Sequence, residues 1–559
     1  MLMVNDVTSY DVDRGVAMIV VDSPPVNALG AIVRKGLAEA LARASDDEAV
    51  LAVVIMCAGR TFFAGADISE IGKPMAEPTL RDLQVILEGM TKLVVAAIHG
   101  SALGGGLELA MAADYRVAAH SARCGLPEVN LGLLPGAGGT QRLPRLVGIS
   151  NALDLMLAGE PIAAAAAMEM GLIDRLVEDG ALGEGAVAFA RTVAHEKASV
   201  IKTRDRTDRM PSSPEQKTQA RKLIEMLRQR HDGYKAKQNI ISAVEKTIDL
   251  SFAEGVAAEA ILFEELKTSP QSAALRYVFF AERQAAKPPE TGAGATRGID
   301  KVAVPAVGPS AETLVREGEA AGIVIESAGK IADAGLTFEN MPSLMADHDR
   351  IRAIVGNGSD PAYLEICLGT DPRRSILFEI VQTDRSSIQD IGSLFRFGKD
   401  IGRLCVLSHG ATSICDRLAF ARDRQIEQLL SEGHALPRIV CGLRGFGFSI
   451  PLGPEVEGDE RDEARSEQEF APDLLERVIL AIVNEAAHVL QEGAARTASD
   501  IDVVAVMGLG WPRYEGGPLY WADSQGLPSI RARLEALGKD HGDAFKPARI
   551  LSQDVLVQR

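Results

Sequence analysis

Two glutamates stand out because each sits beside a run of small residues. Glu108 lies in HGSALGGGLELAMAADYRV, residues 99–117, three positions after Gly105 and inside the first turn of the helix that GGG opens. Glu128 lies in GLPEVNLGLLPGAGGTQRLPRLVG, residues 125–148, on a separate turn preceded by Pro127. A third piece, TFFAGADISEI at residues 61–71, carries small residues over 64–66. Small side chains let a ligand approach the backbone closely. In the 61–71 and 99–117 pieces a loop with free N–H groups leads into a helix. Two such N–H groups aimed at one point stabilise charge developing on a carbonyl oxygen. Two carboxylates on different elements beside that point suit proton transfer at the carbons α and β to the carbonyl. Taken alone, GGG before a helix is a turn with tight packing, and a glutamate in a first turn complements the helix dipole. The chemical reading rests on all the pieces occurring in order on one α/β unit.

The elements that must hold these pieces follow from apolar periodicity. VAMIVVDSP, AVLAVVIMCAG and LVVAAIHG read as strands, and AIVRKGLAEALARASDD as an amphipathic helix with Ile32, Leu37 and Leu41 on one stripe. This alternation, sustained over residues 1–195, predicts βα units on a mostly parallel sheet. Residues 196–284 switch to long helical patterns rich in Lys, Glu and Gln. AAKPPETGAGATRG, residues 285–298, has no apolar period and reads as an interdomain linker. An α/β pattern restarts and runs over 299–418, and 419–559 is helical apart from a charged loop at 455–469.

The chain has 559 residues, 47% of them hydrophobic and 24% charged, enough for several domains with large cores. A net charge of −18 argues against nucleic acid or anionic membrane as partners. No apolar run reaches the ~20 residues of a membrane span. Cys57, Cys124, Cys367, Cys405, Cys415 and Cys441 form no C-x-x-C pair, so neither a zinc site nor a disulfide framework is expected. The N-terminal MLMVNDVTSYDVDRG lacks a signal pattern and the C-terminal DVLVQR is not a peroxisomal address, so a cytoplasmic protein is expected.

The motifs PPVNALG, FFAGADI, ALGGGLELA and GLPEVNLGLLPGAGGTQRLPRLVG make residues 1–195 resemble the crotonase (enoyl-CoA hydratase/isomerase) superfamily. The whole chain is similar to multifunctional β-oxidation enzymes that fuse a hydratase to a 3-hydroxyacyl-CoA dehydrogenase. The resemblance implies an α/β protein. A crotonase (ββα spiral) domain is followed by a linker helix, a reduced Rossmann-like domain and a helical dehydrogenase-type region. It implies that Ala66 and Gly105 N–H groups form the oxyanion hole for a thioester oxygen. Glu108 and Glu128 would hydrate the 2,3 double bond of an enoyl-CoA, Gly136 would help hold the water, and Ala64, Ala66 and Ile68 would receive the coenzyme A moiety. Two glutamates fit a hydratase, with a Δ3,Δ2-enoyl isomerase side activity. Fused enzymes of this kind resemble monomers, so a monomer is expected, with a separate dehydrogenase or thiolase as a possible partner.

In the second half the resemblance is worn. VAVPAVGPSAE, residues 302–312, stands where these enzymes carry a G-x-G-x-x-G turn, but the three positions read Ala306, Gly308 and Ala311. Physically the glycines serve the tight turn, the approach of the pyrophosphate and the packing of helix on strand. Pro309 removes a further N–H. Glu326 is the candidate for the ribose-binding acid. Glu379 matches a glutamate that the family pairs with a histidine about a dozen residues earlier, yet no His lies between His348 and His409. The family's Asn reads Asp416 in SICDRL, and Glu379 is expected on a surface. We therefore expect a hydratase that needs no resident cofactor and has lost NAD binding. The alternatives are a bifunctional hydratase and NAD-dependent dehydrogenase, another crotonase lyase or isomerase on a bulky acyl-CoA, and a non-catalytic scaffold.

Overall fold

The computed structural model describes residues 2–67, 70, 76–196, 200–231, 233–289, 301–304, 316–321, 324–327, 336–340, 348–355, 362–369, 377–382, 387–410, 412–448 and 472–557. They fall into two compact units, Met1–Ala273 and Ala274–Arg559.

The first unit is built on a seven-stranded sheet of order β1-β2-β3-β4-β5-β7-β10. Its strands are β1 (Leu2–Asn5), β2 (Thr8–Asp13), β3 (Val16–Val21), β4 (Ala52–Cys57), β5 (Leu93–Ile98), β7 (Tyr115–Ala119) and β10 (Arg175–Val177). The antiparallel β1-β2-β3 edge gives way to parallel pairing from β3 onward. Parallel strands covered on both faces need continuous apolar sequence, and LVVAAI of β5 is buried at every position. One face packs on Val53, Val94 and Ile98 with Leu37 and Leu41 of α1 (Ala31–Asp46). The other, with Val54, Val95 and Val117, is covered by the helix Leu182–Glu196. The stripe of α1 differs from the expected one. Val33, Leu37, Ala40, Leu41 and Ala44 are buried, whereas Ile32 is 47% exposed. Ile32 and Leu37 are five positions apart, so one falls outside the face that the other buries.

Three short strands, β6 (Ser101–Leu103), β8 (Arg123–Gly125) and β9 (Ile162–Ala163), form a second small sheet. It ties the start of the GGG segment to the turn carrying Glu128, because β6 pairs in parallel with β8. Three helices complete the frame of the site: α2 (Leu80–Gly89), α3 (Gly105–Ala112) and α4 (Gly139–Val147). The helical stretch after residue 195 supplies α5 (Phe252–Lys267). Its start is fixed by a capping box in which Ser251 Oγ accepts from Glu254 N and Glu254 Oε2 accepts from Ser251 N. The division between the units falls within α6 (Pro270–Ala285).

The second unit carries a seven-stranded sheet of order β12-β11-β13-β14-β15-β16-β17. The strands are β11 (Lys301–Val304), β12 (Val324–Ser327), β13 (Leu336–Asn340), β14 (His348–Val355), β15 (Ala362–Gly369), β16 (Leu377–Gln382) and β17 (Leu404–His409). Parallel pairing of β12, β11 and β13 is followed by an antiparallel run from β13 to β16, and β16 with β17 is parallel again. Helix α7 (Ile388–Asp400) packs on β16 and β17, and α8 (Ile414–Ser431) packs on α9 (Pro472–Gln491). A helical core holds Leu418, Ile482 and Val504 with the aromatic cluster of Phe446, Phe448, Trp511 and Trp521.

Candidate active site

The three glycines before α3 do three different things. Gly104 takes a left-handed φ of 51°, and a Cβ there would come within 2.7 Å of Glu128 Oε1. A Cβ on Gly105 would stand 3.1 Å from the backbone N of Ala66, so the Gly105 and Ala66 peptides are neighbours. A Cβ on Gly106 would overlap the Phe63 carbonyl at 2.1 Å, so only glycine lets α3 pack against the 61–67 segment. Gly105 is the first residue of its helix and its N–H has no intrahelical acceptor. Among the described residues neither it nor the Ala66 N–H is donated to the protein. Two adjacent donors in this state are what an oxyanion requires. The segment is anchored from behind, with Leu29 N donating to Gly65 O at 2.9 Å. Ala64 is half-buried and Ala66 exposed. Ile68 lies outside the described residues.

Glu108 is 3% exposed, and both its hydrogen bonds from the backbone fall on Oε1: Ala137 N and Gly139 N each donate at 2.8 Å. Those N–H groups belong to the turn that starts α4. Gly139 is required there, because a Cβ would sit 2.6 Å from Glu108 Oε1. Burial pushes the Glu108 carboxyl up, opposed by the two N–H groups and by the Arg142 and Arg81 guanidiniums. Glu128 lies on the 3-10 turn Pro127–Leu131, and its Oε2 is inaccessible to solvent and unpartnered among the described residues. Burial, and then the charge of Glu108, push the Glu128 carboxyl well above the usual range. Gly136 borders the same turn. Its carbonyl accepts from Arg81 at 2.5 and 3.1 Å, and a Cβ there would strike the Phe263 ring at 2.4 Å.

A third carboxylate, which local motifs do not reveal, lies at this turn. Glu259 of α5 is fully buried and accepts from Gly138 N at 2.7 Å, Thr140 N at 3.1 Å and Thr140 Oγ1 at 2.6 Å. Its trace in the sequence is a charged residue on the helix face that buries Gly255 and Leu266.

The second-unit candidates are dispersed. Ala306, Gly308 and Ala311 lie outside the described residues. Glu326 is on β12, in register with Ala303 of β11. Glu379 is not a surface charge, as the sequence suggested; it is wholly buried on β16. Its two oxygens accept from Ile414 N at 2.5 Å and Cys415 N at 3.1 Å, capping α8. Burial pushes it up to about 7. The alternation of β16 points this residue into the core beneath a helix N-terminus, whose free N–H groups welcome a carboxylate. Asp416, in the first turn of α8, is 5% exposed and raises Glu379 further. Cys367, twelve residues before Glu379, is its register partner across β15 and β16. Among the described residues no group of His, Cys, Asp and Glu is arranged to hold a metal ion.

The enoyl-CoA hydratase/isomerase family profile matches residues 11–255, and that of the 3-hydroxyacyl-CoA dehydrogenase C-terminal domain matches 474–559. The peroxisomal bifunctional enzyme of Cavia porcellus is 26% identical over 686 aligned positions, covering 95% of this chain and 94% of that protein. The glyoxysomal fatty acid beta-oxidation multifunctional protein MFP-a of Cucumis sativus is 29% identical, covering 96% and 95%. Both alignments are longer than the 559 residues of this chain, so the relatives carry segments that it lacks. Among solved structures, the enoyl-CoA hydratase of Bacillus anthracis is 28% identical, with a TM-score of 0.32, covering 49% of this chain and 95% of that one. The chain thus carries an enoyl-CoA hydratase/isomerase domain over residues 11–255 and a 3-hydroxyacyl-CoA dehydrogenase C-terminal-type domain over residues 474–559, and is an enzyme with enoyl-CoA hydratase activity.

Proposed function

We propose that hydration is carried out in the first unit by Glu108 and Glu128, with the thioester oxygen between the N–H groups of Ala66 and Gly105. The observation that carries this reading is the 3.1 Å approach of the Gly105 Cβ direction to Ala66 N, beside the buried Glu108 and the half-buried Glu128 with its inaccessible Oε2. Each donor of such a pair contributes roughly 3 kcal/mol to stabilising the enolate. Mutual repulsion and burial keep one of the two carboxyls neutral. Glu108, with two N–H donors on one oxygen, is the ionised member, and Glu128 holds the proton. Glu108 takes a proton from water as its oxygen bonds to C3. The π pair of the 2,3 bond moves to the 1,2 bond as the carbonyl π pair goes onto the thioester oxygen; when this enolate collapses to restore the carbonyl, C2 takes the proton of Glu128. The same proton store supports a shift between the α and γ carbons, an isomerase side activity. Backbone groups at Ala64 and Ala66 would receive the coenzyme A moiety.

The second unit has two readings. The relatives favour hydride transfer to NAD, since proteins named bifunctional or multifunctional align over 94–95% of their own lengths. The donor set does not fit that chemistry. Glu379 spends both oxygens on α8 and has Cys367, not a histidine, across the ladder. We derive no step through NAD, and on the residues expect a silent second unit. The test is an assay of the purified protein with crotonyl-CoA, with and without NAD, followed at two wavelengths. Loss of the enoyl-thioester absorbance without NADH is the expected result. NADH formation would establish the bifunctional reading, and no loss of absorbance would reject the assignment of the first unit.

A further inference from the structure

The turn at residues 137–140 offers four consecutive N–H groups, and two carboxylates take them alternately. Ala137 and Gly139 donate to Glu108, while Gly138 and Thr140 donate to Glu259. Neither carboxylate can shift without moving the peptides that hold the other. Glu259 is held in turn by the Thr140 hydroxyl, which accepts from Gln141 Nε2 at 3.1 Å. Gln141 Nε2 also donates to Ala243 O at 2.9 Å, so the chain of bonds ends on rigid backbone.

The charges facing Glu259 come from several elements. Arg81 of α2 brings a guanidinium nitrogen to 3.6 Å from Oε1. Glu108 of α3 faces it as a like charge, and Glu259 in turn raises the proton affinity of Glu128 on the 3-10 turn. From α4, Arg142 pairs with Glu88 and acts on Glu108, and both Arg142 and Arg145 lie over the Phe252 ring at the start of α5. On the packed helix Lys235–Lys246, Lys235 pairs with Glu265 at 2.9 Å, beyond Glu259 along α5. Burial, then the charge of Glu108, push Glu259 up to about 7, opposed by the Thr140 hydroxyl, the Gly138 N–H and Arg81.

We propose that Glu259 is a positioning residue for hydration, fixing the turn that aims Glu108 and setting a negative charge against the Glu108–Glu128 pair. This rests on the assignment of Glu108 and Glu128 as the acid/base pair. The test is the pH dependence of kcat/KM for crotonyl-CoA in wild type, Glu259→Gln, Glu259→Asp, Arg81→Gln, Thr140→Val and Glu108→Gln. Removing the Glu259 charge makes its neighbours easier to ionise, so both limbs of the profile should move to lower pH by about 0.5–1 unit. Glu259→Asp keeps the charge and should leave the limbs in place with a lowered kcat. Arg81→Gln removes a cation that acts on Glu108 as well as on Glu259 and should move the limbs to higher pH. Should Glu259→Gln fail to fold, Thr140→Val decides: it removes the hydroxyl that donates to Glu259, disfavours the Glu259 charge and should move the limbs to lower pH. A folded Glu259→Gln variant with lowered kcat and unmoved limbs would reduce Glu259 to a structural role and overturn the proposal, as would unmoved limbs in Thr140→Val. Full hydration by Glu108→Gln would instead strike at the underlying acid/base assignment.

Discussion

Replacing Glu379 by Gln should change how the stability of the second unit depends on pH. The carboxyl is wholly buried and its proton affinity is raised from 4.5 to about 7, first by desolvation and only partly offset by the Ile414 and Cys415 N–H groups. A folded-state value above the unfolded one favours the fold while the group is protonated. That contribution is complete below about 4.5 and is lost as pH rises through about 7. The difference of about 2.5 units corresponds to about 3 kcal/mol between pH 5 and pH 9. Glutamine is neutral throughout and lacks this slope. It also loses one N–H acceptor at every pH, a constant offset that cancels in the comparison. Both tryptophans of the chain, Trp511 and Trp521, lie in the second unit, so urea unfolding followed by tryptophan fluorescence reports on that unit alone. Wild type should lose about 3 kcal/mol relative to the variant between pH 5 and pH 9. Other buried acids, such as Asp502 at about 8, are common to both proteins and drop out of the difference. A gap that stays constant with pH would refute the reasoning, because Glu379 would then not exchange its proton between a costly buried charge and a neutral form. Hydration of crotonyl-CoA by this variant should be unchanged.

Glu108→Gln and Glu128→Gln should each lower kcat for hydration by about 10²–10⁴-fold while binding of an unreactive acyl-CoA, measured by calorimetry, stays near wild type. Gly139→Ala puts a Cβ 2.6 Å from Glu108 Oε1 and should lower kcat through displacement of that carboxylate, with the loss read in steady-state kinetics on protein whose circular dichroism is native.

What could be read in the sequence was what is local. GGG opens α3 with Glu108 in its first turn, and Pro127 starts the short turn of Glu128, because these depend on residues a few positions apart. The approach of 61–67 to 104–106 was legible too, since only small residues permit it. Glu259 was not, because its partners Gly138 and Thr140 are 121 and 119 positions away and nothing near Glu259 marks the helix face that meets them. The exposure of Ile32 is hidden in the sequence because its five-residue spacing from Leu37 resembles a stripe without completing one. The burial of Glu379 is hidden for a related reason. An acid in ILFEIVQ looks like a strand surface residue unless the helix N-terminus above it is known, and that helix begins 35 residues later.

The two units place carboxylates at helix N-termini in different ways, and the difference bears on which of them does chemistry. At α8, Glu379 gives one oxygen to each of two N–H groups, so its acceptor capacity is taken up by the fold. At α4, Glu108 receives both N–H groups on Oε1, and the neighbouring Glu128 keeps a buried Oε2 with no partner among the described residues. A buried carboxylate oxygen without a donor costs more as an anion than as an acid, so the site favours the protonated form of Glu128. Retaining it beside two undonated N–H groups costs stability, which a purely structural turn would avoid by pairing its polar atoms. Glu259 relieves part of that cost by taking the two N–H groups of the turn that Glu108 leaves, while its own charge raises the proton affinity of Glu128. The first unit thus holds a carboxylate cluster with an unsatisfied oxygen, and the second holds a satisfied cap. That asymmetry is what the proposed acid/base role of Glu108 and Glu128 requires of the first unit, and it is the feature that the exchange of either glutamate for glutamine tests.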